Sequence, residues 1–286
     1  MSPRSTDVLA LCIGLLAVSV SAILVRLCIS DPMAIAFWRL LLAGSVFTVW
    51  TLARGQRISA HDFKIAVMAA LFLALHFYLW ISSLFMTSIN SSVVLLAIQP
   101  LFALVLQVAI HRIRATRRNM FSLSGGLIGA VILAHGDFLK GGIAGQGDVF
   151  AIISAALAAT YLFTGSHRTG PLIPYLATVY MFAGAMLFGA AAVRGDALVA
   201  VRPVDWFWFA MIALIPTLLG HTMLNRATKV FPPYVVNLSV LVEPLIAGTL
   251  AYFVFAEIPT GNVLLGATFI VGAVVVEVVG GKTGRT

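Results

Sequence analysis

Charge is what this chain has least of. Only 10% of its 286 residues are Asp, Glu, Lys or Arg, and its mean hydropathy is +1.05, whereas soluble domains carry roughly a quarter charged residues. Eighteen basic and ten acidic side chains cannot clothe a water-facing surface of this size, so lipid is the solvent for most of the chain. Cysteine is also scarce. Cys12 and Cys28 fall on one predicted helix, 16 residues and so roughly 24 Å apart, which excludes a disulfide between them within that helix. Catalytic signatures are missing: there is no His-Glu-x-x-His, no Gly-x-Ser-x-Gly, no Walker loop and no pair of intramembrane aspartates, and the six histidines are dispersed. No cofactor or metal site is expected. The net charge of +8 comes without any RRM, zinc-knuckle or helix-turn-helix pattern, so nucleic acid is not an expected partner.

What the chain does have is long apolar runs. Ten reach membrane-spanning length, at roughly 8–29, 33–53, 63–85, 91–110, 121–138, 148–167, 173–193, 205–226, 234–255 and 261–280. Between them lie short connections with turn residues, among them Asp31-Pro32, Arg54-Gly55, Gly141-Gly142, Gly170-Pro171, Arg194-Gly195, Pro232-Pro233 and Pro259 to Gly261. The first run is longer than a signal-peptide core and lacks a small-residue cleavage site, so it reads as a retained helix. With a cytoplasmic N-terminus, thirteen basic residues fall on the cytoplasmic side (Arg4, Arg54, Arg57, Lys64, Arg112, Arg114, Arg117, Arg118, Arg168, Arg226, Lys229, Lys282, Arg285) and three on the other (Lys140, Arg194, Arg202). Both termini are therefore expected in the cytoplasm.

The two halves resemble one another. His76 precedes Pro100 of Gln99-Pro100-Leu101 by 24 residues, and His221 precedes Pro244 of Glu243-Pro244-Leu245 by 23. Halves of five helices each enter the membrane in opposite senses, an architecture recurrent in transporters, whose substrate sites lie near mid-bilayer between the repeats. The expected fold is all-α and integral to the membrane: ten transmembrane helices as two inverted five-helix repeats, residues 1–140 and 141–286, forming one bundle.

Several residues in these spans can carry chemistry. Pro100 and Pro244 each free the carbonyl four residues earlier, Leu96 and Val240, and so mark either a central cavity and hinge or a packing kink. Gln99 and Glu243 precede them. An intramembrane carboxyl is a counter-charge for an amine, a proton carrier, or a protonated helix-to-helix donor. His76 and Trp80 share one helix face, as do His221 and Asn225. Tyr78, Tyr161, Tyr180 and Trp38 add aromatic surface that either stacks on a solute or fills the bundle. Arg39 and Arg26 lie near the same predicted outer boundary, where snorkelling, a carboxylate partner or a substrate carboxylate entering from outside are open to them, with a structural or gating role favoured over direct binding. The glycines from Gly125 to Gly129 suggest close helix packing.

These residues fall into a familiar pattern. Pro32 with Phe37-Trp38-Arg39-Leu40-Leu41-Leu42-Ala43, then Gln99-Pro100-Leu101-Phe102-Ala103, then Val242-Glu243-Pro244-Leu245-Ile246-Ala247-Gly248, Phe255-Ala256-Glu257-Ile258-Pro259-Thr260 and Leu265 to Gly272 together resemble the ten-helix EamA-type members of the drug and metabolite transporter superfamily. The first half departs from the pattern at His111, where the counterpart of Glu257 should stand. The resemblance implies alternating access around a cavity formed by both halves, and the most similar kind are bacterial exporters of aromatic and other amino acids. The residues singled out above make the expected substrate-binding set His76, Tyr78, Trp80, Gln99, Tyr161, His221, Asn225 and Glu243, with Pro100, Pro244 and Arg39 at hinges or gates. The expected partners are a small-molecule substrate and the lipid bilayer, in a monomer of the bacterial inner membrane driven by a gradient. Efflux of amphiphilic cations is the alternative, ahead of a pore or a membrane-embedded enzyme.

Overall fold

Helix starts are encoded locally. Asp31 accepts a hydrogen bond from Met33 N at 2.7 Å with Pro32 at the first helical position, Ser59 caps Asp62 N at 3.1 Å, and Ser88 caps Ser91 N at 2.9 Å. The chain folds, in a computed structural model that describes residues 5–111, 116–140, 143–231, 236–237 and 239–280, into helices with no strand among the described residues. They are α1 (Ser5–Ser19), α2 (Ser21–Leu27), α3 (Pro32–Ala53), α4 (Ala60–Met86), α5 (Ile89–Leu96), α6 (Gln99–His111), α7 (Arg117–Lys140), α8 (Ile143–Gly165), α9 (Leu172–Arg194), α10 (Pro203–Ile212), a wide π-type segment (Ala213–His221), α11 (Thr222–Ala227), a tight turn (Val240–Val242), α12 (Glu243–Phe255) and α13 (Gly261–Gly280).

Among the described residues seven helical rods are long and apolar enough to cross a membrane: Ser5–Leu27, Pro32–Ala53, Ala60–Met86, Ile89–Ile110, Ile143–Gly165, Leu172–Arg194 and Pro203–Ala227. The other three expected crossings correspond to shorter apolar stretches, Met120–Ile132, Val240–Phe255 and Gly261–Ala273. The basic residues Arg4, Arg112, Arg114, Lys282 and Arg285, and the turns Gly141-Gly142 and Pro232-Pro233, lie outside the described residues, as does the His111 side chain.

The bundle is apolar outward and buries individual polar side chains within an apolar core. Val193, Phe253, Leu245 and Phe121 are exposed, while Arg39, Asn225, Asn237, Thr217 and Asp205 are fully buried. Lipid accepts the first set at no cost, and the second must be satisfied by the protein. Glycine lets helices meet closely at two crossings. A Cβ on Gly220 would stand 2.7 Å from Val18 Cγ1, and one on Gly129 2.7 Å from the Gly266 carbonyl, so α1 lies on the π-type segment and α7 on α13.

Two aspartates tie the halves together. Asp62, in the first turn of α4, accepts from Thr169 N at 2.8 Å and Gly170 N at 2.7 Å in the α8–α9 loop. Asp205, in the first turn of α10, accepts from Ser30 Oγ at 2.8 Å and Ile29 N at 3.4 Å in the α2–α3 loop, and pairs with Arg202 at 2.8 Å. Arg168 donates to the Asn225 carbonyl at 2.7 Å, and Arg26 donates to the Leu84 carbonyl. Asp62 and Asp205, like Arg26 and Arg168, stand roughly 143 residues apart in sequence, the offset of one half against the other. A third carboxylate, Glu257, accepts from Ile89 N at 3.1 Å and Asn90 N at 2.8 Å, so the α12–α13 loop caps the buried start of α5. Ala256 beside it holds φ +52°, a conformation costing about 1–2 kcal/mol for a residue with a Cβ.

Cys28 reports on the Asp205 tie. The thiol is 1% exposed, and burial, then the Asp205 carboxylate, against a smaller opposing effect of Arg202, push it up to about 12. In a Cys12→Ser background at pH 8, a water-soluble maleimide should modify Cys28 on the order of a thousandfold more slowly than a free thiol. Asp205→Ala should raise that rate at least tenfold and remove about 1–3 kcal/mol of stability in a thermal melt, as buried donors lose their acceptor. Equal labelling rates in both proteins would contradict the tie.

Candidate functional site

The sequence breaks its own apolar helices at three places. The α5 ladder stops at Leu96, and α6 restarts at Gln99 with Pro100 in its first turn; the tight turn Val240–Val242 is followed by α12, with Glu243 and Pro244 at its start. Proline lacks the N–H that would continue each ladder. In the rod α10–α11, Pro216 lies inside the π-type segment. Its ring is incompatible with a regular bond to the carbonyl of Ile212, and the Thr217 hydroxyl donates to that carbonyl at 2.9 Å instead. The widened turn brings His221 to the interior, where no single residue of the motif reading pointed to Pro216.

A cavity opens where these breaks meet, lined by residues of both halves. Its walls include Ser21, His76, Phe77, Trp80, Leu96 and Gln99 from the first half, and Tyr161, Leu162, His221, Leu224, Val240 and Glu243 from the second. Six of the eight expected binding residues are thus brought together: His76, Trp80, Gln99, Tyr161, His221 and Glu243. The free volume is about 40 Å³, room for roughly three water molecules and far below the ~300 Å³ of an ordinary small-molecule site. This conformation is closed to a solute.

Partners fix most of the wall. His76 Nδ1 lies 2.8 Å from Ser154 Oγ, and its ring stacks at 6.3 Å on Trp80. Gln99 Nε2 donates to Asn237 Oδ1, joining the break in the first half to the residues just before the break in the second. Asn225 Nδ2 donates to the Tyr161 hydroxyl at 2.6 Å and to the His221 carbonyl at 2.8 Å. Asn225 therefore stands behind the wall and positions Tyr161, rather than lining the cavity as expected. Among the described residues three lining groups keep polar atoms without a protein partner: Ser21 Oγ, Trp80 Nε1 and His221 Nδ1.

Two expectations are corrected by geometry. Tyr78 is absent from the cavity; two residues on from His76 it points to the far side of α4, where its hydroxyl accepts from Arg194 at 2.8 Å. Arg39 is at no boundary. It is 0% exposed, its Nε donates to Thr217 Oγ1 at 3.1 Å, and its guanidinium lies 3.6 Å from the centroid of Phe77. Trp38 does lie at a bundle end, donating to the Leu198 carbonyl at 2.7 Å and packing on Trp206. Phe77, Ser21 and Thr217 were missed, since each is an ordinary residue of a long apolar run and its role comes from a neighbour distant in sequence. No three His, Cys, Asp or Glu side chains gather as a metal site among the described residues.

The model of the EamA-like transporter family matches this chain twice, over residues 5–134 and 145–278. The chain belongs to the EamA-like transporter family. It is a multi-pass membrane protein, and its kinship is with transporters rather than enzymes. Relatives include an uncharacterized transporter of Archaeoglobus fulgidus, 25% identical over 198 residues that cover 69% of this chain and 70% of that protein. An uncharacterized transporter of Synechocystis sp. is 25% identical over 229 residues, 76% of this chain and 66% of that protein; the chain thus spans about two thirds of the length of the curated relatives it matches. A solved crystal structure shares the fold with a TM-score of 0.72 at 17% identity, over 99% of this chain and all of the other.

Thr217 makes the site testable without a substrate. Thr217→Val removes the acceptor of Arg39 Nε and the donor to Ile212, and should cost about 2–3 kcal/mol in thermal unfolding, since bonds to charged groups contribute roughly 1.5–3 kcal/mol. Thr217→Ser should restore most of it. A valine variant as stable as wild type would remove Thr217 from the account.

Proposed function

We propose that this EamA-like chain is a secondary transporter that exports amino acids with aromatic or other apolar side chains, or related small metabolites, by alternating access. In this reading residues 1–140 and 141–286 are inverted five-helix repeats. The three shorter apolar stretches complete ten crossings, and both termini face the cytoplasm of a bacterial inner membrane. The protein acts as a monomer, without a cofactor. The observation that carries the proposal is the central cavity: polar and aromatic residues from both halves, at the level of the proline breaks, with lining atoms still free to bond a solute.

The paired aspartate ties supply the gates. Thr169 and Gly170 held by Asp62 close one face, and Ile29 and Ser30 held by Asp205 close the other. Releasing one tie at a time lets the halves rock while the breaks at Pro100 and Pro244 absorb the bend. Glu243, a buried carboxyl on the cavity wall, favours a second reading, efflux of an amphiphilic cation.

Counterflow into liposomes holding the purified protein separates the readings. Labelled phenylalanine, tryptophan and leucine should accumulate against internal unlabelled solute. Trp80→Ala or Gln99→Ala should raise the half-saturating concentration about tenfold, the equivalent of 1.4 kcal/mol of lost contact. Transport of a cationic dye alone, abolished by Glu243→Gln, would move the assignment to cation efflux; no counterflow of any of these would remove the amino-acid reading.

A further inference from the structure

We infer that Arg39 is a carboxylate-binding subsite of the central cavity, covered in this closed conformation by the ring of Phe77. The inference rests on the transport reading above and assigns the chemistry of its solute: an organic acid whose carboxylate meets Arg39, with any amine directed to Glu243.

Arg39 is fully buried, yet among the described residues its Nε alone has an acceptor and Nη1 and Nη2 have none. A guanidinium does not shed its charge, and an unpaired cation in a membrane interior is costly. Two empty donors on such a group therefore need an explanation. The Tyr180 hydroxyl and then the Glu243 carboxyl interact electrostatically with Arg39, as do the His76 and His221 rings, but no ion pair joins Arg39 to Glu243 among the described residues. What covers the guanidinium instead is Phe77, at 3.6 Å. An aromatic face is a partial substitute for an anion.

Phe77 also borders the cavity. Its ring meets His221 edge-on at 5.0 Å and His76 at 5.0 Å. Phe77 thus touches both the guanidinium of Arg39 and the space that a solute enters. When the cavity widens from its closed volume, rotation of that ring uncovers two parallel N–H donors, the fork that a carboxylate matches bidentately and an ammonium group does not. The solute's carboxylate then replaces the weaker aromatic contact. Emptying the site returns the ring to the guanidinium, so the charge is never left bare in either state.

Four probes of one shape test this: phenylalanine, 3-phenylpropionate, phenylalanine amide and 2-phenylethylamine. Each is read both as a competitor of labelled-phenylalanine counterflow and by the thermal shift it gives the purified protein. Phenylalanine and 3-phenylpropionate should act at concentrations within tenfold of each other, and the amide and the amine at least tenfold more weakly. Arg39→Lys should weaken 3-phenylpropionate at least fivefold, while Phe77→Leu, which removes the cover and keeps an apolar wall, should strengthen it severalfold. Should Arg39→Lys not fold, the wild-type series and Phe77→Leu still decide. The amide or amine acting as well as the acids, with counterflow intact, overturns the subsite and leaves the transport reading standing. Counterflow and thermal shift absent for all four overturns both.

Discussion

Inside lipid, a polar group that the protein itself does not satisfy has nowhere to turn, and the architecture of this chain follows from that constraint. The solutions are reciprocal. Asp62 of the first half holds backbone N–H groups of the second, and Asp205 of the second holds a backbone N–H and a hydroxyl of the first. Arg26 and Arg168 each donate to a carbonyl of a neighbouring segment, Leu84 and Asn225. Tying each face with a carboxylate from the other half makes the ends strong but separable, because hydrogen bonds, unlike packed side chains, are broken and remade without rebuilding a core.

The centre follows the opposite logic. Prolines at positions 100, 216 and 244 stand at three breaks in the helices, and the offset side chains make a chamber that polar and apolar residues line together. The two halves are not identical there. Only the second uses a π-type turn, and that turn delivers both His221 to the cavity and Thr217 to Arg39. A carrier for an asymmetric solute needs such a difference, since two identical halves offer two identical ends.

Much of this was legible in the sequence, for reasons that differ by residue. Seven of the ten apolar runs correspond to helical rods long enough to cross a membrane among the described residues, and a spacing of four put His76 and Trp80 on one face, as found. Gln99, Tyr161, His221 and Glu243 reached the cavity because breaks and polar residues inside lipid are rarely idle. Tyr78 failed because a residue two places from His76 turns away from it. Asn225 was placed on the right face but one layer too far forward. Arg39 was misread because sequence position gives distance from a loop, not depth: its partners Thr217 and Phe77 come from other helices, and no local pattern announces them. The tie residues left a usable signal, acidic side chains in the first turns of α4 and α10 at the offset of the two halves, but their acceptor role was visible only once the loops were in place.

The account turns on the two ties opening in alternation. The direct measurement is a pair of pulsed electron-spin distances in lipid nanodiscs, on a background lacking Cys12 and Cys28. One pair of labels is placed at Ile29 and Val204 beside the Asp205 tie, the other at His61 and Thr169 beside the Asp62 tie, all at exposed positions. Alternating access predicts a short and a long distance for each pair, with a transported solute shifting the two long populations in opposite directions. Distances that stay single, or two pairs that lengthen together, would contradict it.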